Sequence, residues 1–159
     1  MNTQRYAKLF KEACQELDIQ PPPDETGTVQ PEGGCGLISI NGATVALYYD
    51  EALGAELLQI RVECQTLPPP QSADIFRVLL AYNFEFGSCG HAIFGVLPGQ
   101  NGADQVFLTL QCSLDGVDSG AALADLLRNA THQAKTLWTQ VAEPEAPPEP
   151  RANLPVHFA

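Results

Sequence analysis

Along the first stretch of the chain, Tyr6, Leu9, Phe10, Ala13, Cys14 and Leu17 recur at spacings of three and four. That period puts them on one stripe of an amphipathic helix, predicted over residues 3–18. Pro21-Pro22-Pro23 would end it, and a loop rich in Pro, Gly and acid runs on to Gly34. The period then switches to two. Strands are predicted over 36–40 and 44–49, joined by Asn41-Gly42, the strongest short hairpin signal. A third covers 57–65, with Leu58, Ile60, Val62 and Cys64 on one face and Gln59, Arg61, Glu63 and Gln65 on the other. Pro68-Pro69-Pro70 breaks the chain, and Ser72 is the expected N-cap of a second helix over 73–84, with Asp74 favourable to its dipole. Strands over 92–97 and 105–114 follow, the latter alternating through Val106, Leu108, Leu110, Cys112 and Leu114. Asp118 or Ser119 caps a last helix to about residue 141, striped by Leu123, Leu126, Leu127, Ala130, Ala134, Leu137, Trp138 and Val141. The order is α-β-β-β-α-β-β-α, an α+β fold with helices packed on a twisted antiparallel sheet.

The second helix breaks the amphipathic pattern. At 100° per residue Ile75, Val78, Leu79 and Tyr82 share one face, Phe76, Leu80 and Phe84 another, and charge is confined to Asp74 and Arg77. One sheet covers one face. A second oily face left in water forfeits roughly 1.5–3 kcal/mol per large side chain, serious against the roughly 5–15 kcal/mol that hold a domain together. The simplest cover is the same helix of a second copy, which predicts a homodimer through the central helix.

Length and composition narrow the class. The 159 residues suit one domain, expected over 1–141, and 45% apolar residues suit a globular one. The Pro/Glu/Ala-rich remainder, 142–159, is expected to be a disordered tail. Nineteen acidic against eight basic residues give a net charge of −11, which disfavours nucleic acid and anionic membrane surfaces as partners. The five cysteines are unpaired in spacing, without a Cys-x-x-Cys motif, and four fall at apolar-face or strand-edge positions. This predicts free thiols in a reducing compartment. With no secretory signal and no run of about 20 apolar residues, membrane insertion is not expected and a cytoplasmic location is.

Chemistry is sparse. Gly33-Gly34-Cys35-Gly36 lacks the lysine and helix of a phosphate loop, and His91, His132 and His157 are scattered. Cys89 and His91, in Gly87-Ser88-Cys89-Gly90-His91, are the only pair with the ingredients of a thiolate nucleophile, without an evident third residue to orient them. No metal site or cofactor is expected, and an enzyme is not the favoured reading. Tyr48 and Phe107, on the nominally polar sides of their strands, are instead candidates for exposed apolar surface.

The element order, the stretch Leu79-Leu80-Ala81-Tyr82-Asn83-Phe84, the strands over 92–97 and 106–114, Leu114-Asp115-Gly116 and the Leu/Ala/Trp helix together resemble the class I type III secretion chaperones, the CesT-like or Tir chaperone family. The resemblance covers about residues 3–141; the loop over 20–34 and the tail are longer than the family pattern. It implies a non-enzymatic homodimer that binds the N-terminal chaperone-binding region of a secreted effector and keeps it soluble for export. The dimer interface it implies comprises Ala73, Phe76, Arg77, Leu80, Asn83 and Phe84 of the central helix with Phe94 of the strand after it. The effector, held in extended form and adding a strand to the sheet, would contact Tyr6, Phe10, Leu37, Val45, Leu47 and Tyr49. The competing readings are a small dimeric adaptor or regulator of secretion, and a Cys89-dependent enzyme.

Overall fold

The first helix, α1 (Asn2–Glu16), stops before the prolines reach it. Asp18 turns into the left-handed region at φ 55°. The Ile19 N–H then reaches back to the Cys14 carbonyl at 2.9 Å and the Asp18 N–H to that of Gln15 at 3.1 Å. This pair of bonds is the Schellman closure, which satisfies carbonyls a helix end would leave bare. Arg128 adds a bond from its guanidinium to the Glu16 carbonyl at 2.8 Å. The expected proline stop is therefore corrected: the helix is closed by its own last turn. This computed structural model describes residues 2–20, 34–50, 57–67, 69–86, 92–99 and 102–142. The Cys89–His91 pair, the loop over 21–33 and the tail beyond Ala142 lie outside those residues.

Strands β1 (Gly34–Ile40) and β2 (Ala43–Asp50) form the expected hairpin. Asn41 and Gly42 both take positive φ, 51° and 80°, the backbone a two-residue type I′ turn demands. Next come β3 (Leu57–Leu67), α2 (Pro69–Phe86), β4 (Ala92–Pro98), β5 (Asp104–Ser113), a single 3₁₀ turn (Leu114–Gly116) and α3 (Gly120–Ala142). Several boundaries move, β1 for one beginning at Gly34 instead of 36. β3 runs two residues past 65 because a bulge between Glu63 and Gln65 absorbs the break in alternation. Leu114 leaves β5 for the 3₁₀ turn, where it is fully buried. α2 begins at Pro69, ahead of the expected cap at Ser72; a first helical turn needs no N–H, so proline fits there. At α3 the expected cap is present, with the Ser119 hydroxyl accepting from the Ala122 N–H at 3.2 Å.

The five strands form one antiparallel sheet ordered β1-β2-β3-β5-β4, an α+β architecture as expected. Val45, Leu47, Leu58, Ile60, Val62, Val106 and Leu108 are buried on its inner face. Over them pack Tyr6, Leu9 and Ala13 of α1, Leu79 of α2, and Leu123, Leu127, Ala130 and Ala134 of α3, in one continuous core. α1 and α3 meet at Gly120, where a side chain would strike the backbone of Glu12 and Ala13. Arg5 fastens the other end of α1, bonding Asp115 at 3.1 Å and the Val117 carbonyl at 3.2 Å.

Candidate protein-interaction surface

Once α2 lies on the sheet edge its two faces separate. Leu79 is buried, and Ile75, Phe76 and Tyr82 pack partly against the core. On the outside, Leu80 is 68% and Phe84 89% exposed, with Ala73 and Arg77 exposed on the same stripe. The Arg77 guanidinium stands 3.8 Å from Asp74 at the surface, an ion pair worth little in water. Val78, expected on the inner face with Ile75, Leu79 and Tyr82, is exposed instead. A phenylalanine left this bare is the informative observation: single exposed aliphatics are ordinary, but Leu80 and Phe84 lie one helical turn apart and form a patch.

Of the residues assigned to this interface, Phe76, Asn83 and Phe94 serve chiefly within the chain. Phe94 is buried, its ring edge-on to Tyr82 with centroids 5.2 Å apart. The Asn83 amide donates to the Phe94 carbonyl and accepts from the Phe94 N–H, each at 2.8 Å. Phe76 packs partly against the core.

The cargo-facing set divides in the same way. Tyr6, Val45, Leu47 and Tyr49 are buried, contrary to their assignment as contact residues. Their strands' inner face is filled by α1: Tyr6 stacks between Phe10 and Tyr49, with centroids at 6.0 and 5.4 Å. Phe10 is half-buried with its ring over Gly36, and only Leu37, 58% exposed, faces water. Leu37 belongs to the opposite face of the sheet, in a cross-strand row with Ala46, Arg61, Thr109 and Ile93. Beside that row the Arg61 guanidinium covers the Tyr48 ring, 4.7 Å from its centroid. Tyr48 and Phe107 are thus half-covered instead of bare.

Sequence reasoning missed the exposed apolar residues of β4: Ile93, Val96 and Leu97. The signal was present. In 92–97 every residue except Gly95 is apolar, so neither strand face is polar, the same excess that marked α2.

The described cysteines are not activated. Burial pushes the thiols of Cys14 and Cys112 up from their ordinary range. It raises Cys64 to about 11, where the Glu63 charge reinforces burial and a Leu108 backbone bond opposes it. Raised thiols are poor nucleophiles at neutral pH. Among the described residues no three of His, Cys, Asp or Glu converge as a metal site, and no helix is long and apolar enough to cross a membrane.

Neither a protein-family model nor a curated protein sequence matches the chain. Solved structures do, two of them as follows. The crystal structure of the ExsC–ExsE complex superposes with a TM-score of 0.62 at 18% identity, covering 87% of this chain and 95% of that one. YbjN of E. coli, described as a putative transcription regulator, superposes with a TM-score of 0.50 at 10% identity, covering 83% and 87%. At such identities the likeness is one of fold: the chain shares the fold found in the ExsC–ExsE complex, with the α-β-β-β-α-β-β-α order expected from the sequence.

Proposed function

We propose that the protein is a homodimeric type III secretion chaperone that binds the N-terminal chaperone-binding region of a secreted effector and keeps it soluble and competent for export. The observation that carries this reading is the bare Leu80–Phe84 stripe of α2, on a fold shared with a protein crystallised in complex with ExsE. The stripe suits a second α2, with Ala73 and Arg77 alongside. The client is received elsewhere, in extended form, by strand addition and shallow apolar contacts such as Leu37. Binding of this kind orders a disordered segment and shields it from aggregation without ATP or any cofactor. The acidic surface, net −11, favours basic segments in the client. The protein would work in the cytoplasm and catalyse nothing.

A second reading, a small dimeric adaptor or regulator, draws on the fold shared with YbjN. Co-expression of the full chain with effectors encoded nearby, and with their N-terminally truncated forms, separates the two. A secretion chaperone co-purifies with a full-length effector and loses it when the effector's N-terminal region is removed. Binding only to a non-secreted regulator supports the adaptor, and retention of no secreted partner overturns the chaperone.

A further inference from the structure

The sheet has two edges, β1 and β4. An exposed edge with unpaired N–H and C=O groups is a template on which any extended chain can add a strand. β4 looks like such a template, with Ile93, Val96 and Leu97 exposed. Its backbone is not free, however. In an antiparallel ladder the N–H and C=O of one residue point to the same side, and successive residues alternate sides. Phe94 lies opposite Leu108 of β5, yet its N–H and C=O are both taken by the Asn83 amide at 2.8 Å. They therefore point away from β5, to the outer edge. The β4–β5 register runs without a shift from Ala92 to Pro98, so Ala92, Val96 and Pro98 turn their backbone groups outward too. Pro98 has no N–H to offer. Of the outward donors Ala92, Phe94 and Val96, the central one is already bonded within the chain.

We infer that Asn83 is an edge guard: its side-chain amide occupies the place of a neighbouring strand at the centre of β4. It determines that a partner at the α2/β4 surface docks by side-chain packing and that an extended polypeptide is turned away from this edge, leaving β1. Only the identity of that partner, a second copy, rests on the proposed dimer. Closure of the edge rests on the Asn83–Phe94 geometry alone. A primary amide suits the task because it presents one donor and one acceptor side by side, matching one residue of a strand.

Residue-resolved amide hydrogen exchange by NMR on the full chain tests this, joined to inter-protomer Overhauser contacts in a mixed-label sample. In the unaltered protein the Phe94 amide is protected and no backbone contacts join β4 to another β4. Asn83→Ala accelerates exchange at Phe94 about tenfold, the effect of losing one hydrogen bond, and adds concentration-dependent association through β4. Asn83→Leu keeps the bulk but neither amide group, so it accelerates Phe94 exchange as Asn83→Ala does, a result that loss of bulk alone would not produce. Strand-pair contacts between β4 edges in the unaltered protein overturn the inference. So does an Asn83→Ala variant whose Phe94 exchange and mass are unchanged. The unaltered-protein arm needs no variant to fold, and no arm involves an effector, so failure of effector binding is a separate result.

Discussion

The ring of Phe10 lies over Gly36, with its Cζ and both Cε atoms 2.5–3.0 Å from where a β-carbon would stand. The glycine is what lets α1 close onto β1 and complete the Phe10–Tyr6–Tyr49 stack. Gly36→Ala would drive the ring outward and is expected to cost about 1–3 kcal/mol, the range for overpacking. Chemical denaturation of the purified variant measures it. A loss below a few tenths of a kcal/mol would mean the ring swings aside freely.

Asp18 closes α1 from the left-handed region at φ 55°, a conformation that suits glycine better than a residue with a β-carbon. Asp18→Gly is therefore expected to hold or raise stability, by up to about 1 kcal/mol. Asp18→Val, β-branched, is expected to lower it by about 1–2 kcal/mol. Thermal melts of the two variants, compared with the parent, give the order.

The Cys64 thiol is held at about 11 in the folded chain against 9.0 for a free thiol, chiefly by burial. A raised acid binds its proton more tightly when folded. Its contribution to stability is therefore complete below about pH 9 and is lost as pH rises from 9 to 11. Cys64→Ala should remove part of that alkaline slope, on the order of 2 kcal/mol across the window. Urea unfolding at pH 8, 9, 10 and 11 follows it. The same burial predicts slow modification of Cys64 by thiol reagents at pH 7, accelerating only above about pH 10.

Particular residues show what could be read from the chain and what could not. Asn41-Gly42 announced its hairpin because a type I′ turn is a local requirement, satisfied within two residues. The α3 stripe and its Ser119 cap were equally local. Asp18 was not legible: the prolines after residue 20 offered a louder stop, and the Schellman bonds leave no composition signal. The bulge at Cys64 escaped because the extra residue in β3 shows only when Glu63 and Gln65 are set opposite the consecutive Phe107 and Val106 of β5. For the surface, helical periodicity assigned α2 two apolar faces but not the orientation of the helix on its support. Periodicity therefore grouped Phe76 with Leu80 and Phe84, although it packs partly against the core, and the resemblance added Asn83, which bonds Phe94. Tyr6, Val45, Leu47 and Tyr49 failed as contact residues for the opposite reason: the helix that covers them comes from the same chain.

The outer stripe of α2 bears the central claim, and Leu80→Glu is its sharpest probe, with the exposed Gln133→Glu on α3 as control. A glutamate at Leu80 faces water in a single subunit and costs little there, but it would be buried without a partner between two copies. Light scattering coupled to size exclusion at micromolar concentration gives the mass. The parent and Gln133→Glu should each run at twice the 17.1 kDa of one chain, and Leu80→Glu as a single chain or aggregate. A parent protein that runs as a well-behaved 17.1 kDa species would contradict it.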